Sequence, residues 1–189
     1  MEFSDTGLCG QCISHPPPFD LCISAYLYQF PVNRVVQRIK YNGRLELINP
    51  ITRHLIDILQ DHYFDAASWP ETIIPVPLHN QRLRRRGYDQ ALLLAKEIRQ
   101  QLIPVTRIPI DHKSLKRHRV TRQQQELDAK ARKKNLQQAF SIIKPVSYKH
   151  VAIVDDVVTT GETVSEITRL LKKNNVERVD IWSLARTPK

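Results

Sequence analysis

The sequence has few cysteines and lacks any long apolar run. Its 189 residues include three cysteines, and the N-terminal segment MEFSDTGLCGQC is acidic and has no apolar signal-peptide core. An odd cysteine count without a secretion signal argues against a disulfide framework. No stretch reaches the roughly 18–20 apolar residues that a membrane-spanning helix needs. We therefore expect a cytoplasmic protein with no membrane insertion.

The apolar content is nevertheless sufficient for a buried core. Hydrophobic residues make up 41% of the chain, which excludes wholesale disorder. The length fits one domain plus a short extra segment. The run Pro16-Pro17-Pro18 cannot continue a helix or a central strand and indicates a boundary. We predict a cysteine-containing N-terminal segment at 1–18 and one folded domain at 19–189.

Positive charge is concentrated in two segments. The formal net charge is +10, from 29 Lys and Arg against 19 Asp and Glu. Residues 82–86 carry +4, and residues 107–134 carry ten Lys or Arg against three acids. These segments account for the whole excess, which suggests a polyanionic partner, either a phosphate-rich ligand or nucleic acid. The alternative is two solvated loops without a partner.

Strands and helices alternate in the predicted secondary structure. Apolar and β-branched runs predict strands at 22–28, 72–76, 105–108, 150–158 and 179–184. Helical spacing of apolar residues predicts helices at 31–40, 49–62, 88–102 and 163–174, with Asp89 as the N-cap of the third. Such alternation indicates an α/β fold with a mostly parallel central sheet and right-handed crossovers.

The segment from Val151 to Thr163, VAIVDDVVTTGET, has the pattern of a binding site for a phosphorylated sugar. A buried strand ends in Asp155 and Asp156, and a Thr-rich loop then enters a helix. Ligands of open parallel sheets bind at the carboxyl ends of strands, and helix N-termini present free N–H groups to anions. Gly161 permits a positive φ or close backbone approach. If this were an ordinary turn, two vicinal acids ending an apolar strand would be an unexplained electrostatic cost.

This segment resembles the fingerprint of the type I phosphoribosyltransferases, which bind 5-phosphoribosyl 1-pyrophosphate (PRPP). The resemblance implies that the loop holds the ribose 5-phosphate and that Asp155 and Asp156 contact the ribose hydroxyls. It makes these two acids candidate catalytic residues and implies Mg²⁺ as a cofactor on the pyrophosphate. The implied PRPP-binding residues are Asp155, Asp156, Val158, Thr159, Thr160, Gly161, Glu162 and Thr163.

An arginine cluster follows the strand at 72–76. The sequence IPVPLHNQRLRRRGYDQ predicts a rigid turn at Pro75-Val76-Pro77 and then a strongly cationic loop. Enzymes of the resembling family bind pyrophosphate after their first core strand, and arginine suits bidentate phosphate contacts. The predicted phosphate contacts are Arg82, Arg84, Arg85 and Arg86, although at least one should be a plain solvated charge. An acidic macromolecule is the alternative partner.

Residues 113–135 form a long polar segment with little apolar surface to bury. Phosphoribosyltransferases have a flexible loop at this point in the chain, and its closure excludes water from the reaction. The resemblance places Arg119, Gln124 and Arg132 in that loop. On composition alone, a disordered basic insertion is an equal alternative.

Over nearly its whole length the chain resembles a narrower family, the ComF (competence protein F) and GntX-like proteins. The resembling motifs are CGQC with HPPPFD, IKYNG, IPVPL with RRRGYDQ, R-x-T-x-x-Q, R-x-x-N and VDDVVTTGET. Members usually begin with two C-x-x-C pairs that bind zinc, whereas this sequence shows only Cys9 and Cys12. Since structural zinc needs four ligands, either the start of the chain is missing or zinc is lost. We expect Cys22 to be a buried core thiol.

Two functions fit these features. One is a ComF-like protein that binds PRPP with Mg²⁺ and works in DNA uptake, with single-stranded DNA and the uptake machinery as partners. The other is an active phosphoribosyltransferase of nucleotide or base metabolism. No residue identifies an acceptor base for the second. The same arginines could serve either anion, so the two functions can coexist.

Overall fold

The computed structural model describes residues 16–65, 68–118 and 139–188. Within these ranges, six strands form two sheets. The larger is a parallel sheet with the strand order β1-β6-β5-β2, and the smaller is an antiparallel pair of β3 and β4. The strands are β1 (Leu21–Leu27), β2 (Thr72–Pro75), β3 (Leu115–Arg117), β4 (Phe140–Ile142), β5 (His150–Val158) and β6 (Arg178–Arg186).

Helices connect the strands of the parallel sheet, as the alternation of patterns predicts. The described part of the chain contains α1 (Val32–Asn42), α2 (Ile48–His62), α3 (Asn80–Arg86), α4 (Gln90–Leu102) and α5 (Glu162–Lys172), and a short 3₁₀ turn at Leu45–Leu47. Asp89 caps α4, since its Oδ1 accepts a hydrogen bond from the Leu92 N–H at 3.1 Å. The predicted α/β fold with a parallel sheet is confirmed.

Both faces of the parallel sheet are covered. Ile73 and Ala152 pack with α2 and α4 in one buried cluster, and Ile74 and Ile153 pack with α5 in another. Neighbouring strand residues point to opposite faces, so a strand that is buried on both faces consists of a continuous apolar run. This explains why β5 shows no alternation in the sequence.

The helices that follow the neighbouring strands β2 and β5 lie on opposite faces. α4 follows β2 and packs in the first cluster, whereas α5 follows β5 and packs in the second. The two connections therefore diverge at the carboxyl ends of adjacent strands. Such a divergence opens a crevice, which is where ligands bind in open α/β sheets.

Two predictions about segments away from the cleft are wrong. Residues 105–108 form no strand; one parallel bridge joins Ile110 to Ile73 instead. Proline supplies no N–H to a sheet, and Pro104 and Pro109 flank the predicted segment. Pro109 contributes only its carbonyl, which accepts from the Ile73 N–H at 2.9 Å. Cys22 is half-buried at the edge of the second cluster and is not a fully buried thiol.

A polar network lies at the amino-terminal end of the parallel strands. Asp180 is fully buried, and its Oδ2 lies 2.7 Å from both the Tyr63 hydroxyl and His150 Nε2. Arg178 Nε donates to Asp180 Oδ1 at 3.1 Å, and Trp182 Nε1 donates to the Tyr63 hydroxyl at 3.1 Å. These hydrogen bonds hold the pKa of Asp180 below its usual value despite its burial.

No helix in the three described ranges has the length and apolar character needed to cross a bilayer.

Candidate functional site

A cleft of about 270 Å³ opens at the carboxyl ends of β2 and β5. It lies where the connections from these strands diverge, and it contains all the predicted residues of the segment from Asp155 to Thr163. Its walls are formed by Lys40, Val76, Pro77, Leu78, Arg82, Arg86, Asp89, Gln90, Ala91, Arg117 and residues 155–164.

The two predicted acids lie at the end of β5 and line this cleft. The Asp156 N–H donates to Asp155 Oδ1 at 2.9 Å, which orients that carboxylate. Asp156 forms an ion pair with Lys40 of α1, whose Nζ lies 2.9 Å from Oδ2, and both side chains are mostly buried. Helix α1 thus supplies a cation to the strand end, so the acid pair is not left without a counter-charge.

Asp155 is held partly in its neutral form. Burial, and next the negative charge of Asp156, raise the pKa of Asp155 to about 7, although Lys40 and Arg117 oppose the rise. The carboxyl group of Asp155 therefore loses its proton near neutral pH. Acidic residues in a cleft whose pKa values are strongly shifted are typical of functional sites.

We expect Asp155→Asn to stabilise the fold above neutral pH. Because the folded-state pKa is raised, ionising Asp155 destabilises the protein fully above pH 7 and not at all below the unfolded value near 4. One pKa unit corresponds to about 1.4 kcal/mol, so we expect a gain of that size or more at pH 8. Urea unfolding at pH 8 and pH 4, with the exposed Asp61→Asn as control, measures it. A gain that is equal at both pH values would contradict this assignment.

The loop after β5 leads into the N-terminus of α5. Thr159 and Thr160 are exposed, and Gly161 precedes the helix with a φ of +77°. A Cβ at Gly161 would meet nothing closer than 4.0 Å, so the left-handed φ and not lack of space demands glycine. The first turn of α5 lines the cleft, and a helix N-terminus carries N–H groups without intrahelical partners, so this arrangement can cradle a phosphate.

Val158 and Glu162 differ in what they can offer a ligand. The Val158 side chain is 4% exposed and packs in the core, so its contribution to the cleft is mainly backbone. Glu162 Oε2 is buried and has no hydrogen-bond partner among the described residues. This oxygen, together with Asp155 and Asp156, is the hard carboxylate donor type that Mg²⁺ prefers.

These acids do not form a complete metal cage by themselves. Within the described ranges, no group of three or more His, Cys, Asp or Glu side chains is arranged to hold a metal ion. Mg²⁺ keeps several waters and is usually bound through one or two carboxylates plus substrate phosphates. The residues fit a Mg²⁺ ion that arrives with a phosphorylated substrate.

The predicted arginine loop is a helix, α3, and the helix sorts the arginines into two pairs. Arg82 and Arg86, four residues apart, line the cleft, whereas Arg84 and Arg85 are exposed and lie outside it. Residues at i and i+4 share a helix face, and the His79 side chain caps the helix by accepting a hydrogen bond from the Gln81 N–H. Of the four predicted phosphate contacts, only Arg82 and Arg86 line the cleft, and their contact with phosphate stays a prediction.

Cations crowd the wall of the cleft. Burial lowers the pKa of Arg117, with Arg82 as the next cause, and burial lowers the pKa of Arg82, with Arg86 as the next cause. The guanidiniums repel one another across a partly buried space. An anion bound between them would relieve that repulsion, which makes this wall a candidate pyrophosphate site.

Sequence reasoning missed four polar side chains that line the cleft: Lys40, Asp89, Gln90 and Arg117. Lys40 lies in IKYNG, one of the motifs that carry the family resemblance, and this membership is the signal that could have identified it. Gln90 is 5% exposed, and its Nε2 has no hydrogen-bond partner in the described part of the chain, so it offers a free donor. Arg117 is two residues from the predicted Arg119, and only the pairing of β3 with β4 brings it to the cleft.

Five predicted site residues lie outside the described residues: Cys9, Cys12, Arg119, Gln124 and Arg132. The zinc and loop predictions that involve them therefore stay predictions.

Residues 88–189 match the phosphoribosyl transferase domain family, which is more than half of the chain. Together with the sheet order and the cleft, this match shows that the chain belongs to that family. A purine phosphoribosyltransferase from Pyrococcus horikoshii is a distant structural neighbour, with 18% identity, coverage of 86% of this chain and 77% of that one, and a TM-score of 0.40.

Within that family the chain belongs to the competence protein F group. It is 36% identical over 180 residues to DNA utilization protein YhgH of Escherichia coli K12, covering 95% of this chain and 78% of the relative. It is 37% identical over 182 residues to competence protein F of Haemophilus influenzae, covering 94% and 78%. Competence protein ComFC of Bacillus subtilis is 28% identical, covering 87% and 63%. The family predicted from the motifs is confirmed.

Proposed function

We propose that this protein binds PRPP with Mg²⁺ in the cleft at the end of β5 and acts in the uptake or use of DNA. One observation carries the proposal: an acid pair, a helix N-terminus and three arginines converge on a single cleft. These are the groups that a sugar, a phosphate and a pyrophosphate would each require. The site thus matches the parts of one ligand.

Each part of PRPP has a complementary group in this arrangement. Asp155 and Asp156 accept hydrogen bonds from ribose hydroxyls. Such hydrogen bonds are stronger when the accepting carboxylate is ionised. The N–H groups of the 159–163 loop and α5 hold the 5-phosphate. Arg82, Arg86 and Arg117 face the pyrophosphate. Mg²⁺, when bound, would neutralise charge on the pyrophosphate oxygens.

The role in DNA uptake or use is supported by the family. The relatives are called DNA utilization protein and competence protein F, at 36–37% identity over almost the whole chain. The net charge of +10 is consistent with a polyanionic partner. We therefore propose that PRPP binding serves a DNA-handling protein.

An active transferase of nucleotide or base metabolism is the second candidate. The unsatisfied Nε2 of the buried Gln90 favours it, because this donor in the cleft wall could recognise an acceptor. In such a reaction the C1–pyrophosphate bond breaks, an acceptor nitrogen attacks C1 of the ribose, and the arginines stabilise the leaving pyrophosphate. Pyrophosphate release from PRPP in the presence of each nucleobase tests this function, and release no faster than the uncatalysed hydrolysis of PRPP would argue against it.

The two arginine pairs of α3 provide a matched test of PRPP binding. We expect Arg82→Gln/Arg86→Gln to weaken PRPP binding at least tenfold, because each lost charged hydrogen bond costs about 1.5–3 kcal/mol. Arg84→Gln/Arg85→Gln removes the same charge from the same helix and should change the affinity less than threefold. Titration calorimetry with PRPP and Mg²⁺ measures both. Equal losses in the two double variants would indicate a general charge effect and contradict the proposed pyrophosphate wall.

A further inference from the structure

Helix α1 carries an exposed face that the PRPP site does not use. Arg34, Arg38 and Tyr41 lie at positions i, i+4 and i+7, which share one side of a helix. All three are exposed, and 61% of Tyr41 remains accessible. The face spans about 10 Å along the helix axis.

Tyr41 lies at the rim of the cleft and is held there. The guanidinium of Arg86, which lines the cleft, lies over the Tyr41 ring with its Cζ 5.3 Å from the centroid. Arg86 is itself oriented, because its Nη1 donates to Gln90 Oε1 at 3.0 Å. One side of the ring is thus packed by a cation, and its exposure leaves the rest available to a planar ligand.

The end of α1 is also fastened to the walls of the cleft. The Tyr88 hydroxyl donates to the carbonyl of Ile39, and Lys40 pairs with Asp156. Since Ile39 and Lys40 immediately precede Tyr41, these contacts fix the backbone that carries the ring, and Arg86 packs on the ring itself. A preorganised ring loses little conformational entropy on stacking.

The positive charge of Arg34 and Arg38 indicates which kind of ligand this face of α1 binds. Neither Arg34 nor Arg38 forms an ion pair with a carboxylate of the described ranges. Two guanidiniums without counter-ions beside an exposed ring match the combination that binds single strands, namely a basic path for phosphates and a platform for a base. Duplex DNA would hide the faces of its bases inside the stack, so it could not use the ring.

We propose that the α1 face, formed by Arg34, Arg38 and Tyr41, binds single-stranded DNA. Tyr41 stacks on one base at the rim of the cleft, and Arg34 and Arg38 contact phosphates of the adjoining nucleotides. This inference rests on the DNA-handling part of the proposed function and places the DNA contact on α1, not on the arginines of α3.

Fluorescence anisotropy with a labelled 12-nucleotide oligothymidylate, measured on the full chain between 50 and 300 mM NaCl, tests the proposal. We expect Tyr41→Ala to weaken binding about tenfold, the effect of one lost base stack, while Tyr41→Phe retains the affinity. Arg34→Gln/Arg38→Gln should reduce the slope of log K against log salt by about 1.4, or 0.7 for each phosphate contact. The control Arg53→Gln/Arg99→Gln removes two exposed charges from α2 and α4.

The proposed α1 surface would be contradicted by no oligothymidylate binding by the wild type, an unchanged affinity in Tyr41→Ala, or equal salt slopes in the two double variants. Binding of free thymidine monophosphate as tight as that of the oligonucleotide would also overturn it, since a strand path would then contribute nothing. PRPP calorimetry on Tyr41→Ala separates the two proposals. If Tyr41→Ala keeps PRPP binding but binds DNA more weakly, both proposals are supported. If the wild type binds PRPP but does not bind DNA, only the proposal for the α1 face is contradicted.

Discussion

The double variant Asp155→Asn/Asp156→Asn is expected to lose PRPP binding by about 100-fold or more. Each aspartate offers charged acceptors to a sugar hydroxyl or to Mg²⁺, and a hydrogen bond to a charged group contributes about 1.5–3 kcal/mol. Two such losses amount to roughly 3–6 kcal/mol, and every 1.4 kcal/mol is a factor of ten in affinity. Titration calorimetry with PRPP and Mg²⁺ gives the result directly.

The controls for this experiment follow from the surroundings of the two acids. Asn keeps the shape of Asp, and Asn at position 155 can still accept the N–H of residue 156. We expect Asp155→Asn alone to be more stable than the wild type at pH 8, so weaker binding there cannot be attributed to unfolding. Asp61→Asn removes an exposed charge from α2 and should bind PRPP normally. An affinity within threefold of the wild type in the double variant would refute the proposed sugar site.

Asp180→Ala is expected to lower the free energy of unfolding by about 3 kcal/mol. The buried carboxylate accepts hydrogen bonds from Tyr63, His150 and Arg178, and its removal leaves these groups without their acceptor. Breaking a buried pair typically costs about 3–5 kcal/mol. We take the lower end because the Arg178 side chain is 43% exposed and water can replace part of its interaction.

Urea unfolding measures this loss, and Trp182 fluorescence reports on the network because the Trp182 indole bonds to Tyr63. Tyr63→Phe removes one hydrogen bond and should cost about 1 kcal/mol. The pKa of Asp180 is lowered, so its contribution is complete above the unfolded value near 4 and is lost as the pH falls below it. The network lies at the opposite end of the strands from the cleft, so PRPP affinity should not change. A loss below 1 kcal/mol would mean that the network is not a major source of stability.

The fold could be predicted largely because its signals are local. The apolar runs of β2, β5 and β6 and the periodicity of α2 and α4 follow from strand and helix geometry. The segment of residues 105–108 has the same β-branched composition as a strand, yet it forms none. Strand pairing there depends on the backbone donors of the neighbouring strand and on the flanking prolines. The local amino-acid composition does not show either effect.

The candidate site likewise has a part that is continuous in the sequence and a part that comes from distant elements. The two acids and the loop that we propose for phosphate binding occupy one continuous segment, 155–163, so their order in the chain was enough to propose them as parts of one site. Lys40 and Arg117 come from α1 and β3, far from β5 in sequence. Their approach to the cleft depends on how those elements pack.

The sequence by itself determined the family, the strand–loop–helix segment and the concentration of positive charge. Only the tertiary structure decided which charges belong to the cleft. The arginines of α3 are almost consecutive in the chain, but a helix turns by 100° per residue, so Arg82 and Arg86 face the cleft while Arg84 and Arg85 face outward. Tyr41 illustrates the same point, because its contact with Arg86 joins two helices that the sequence keeps 45 residues apart. Contacts between distant segments depend on packing, which local patterns do not encode.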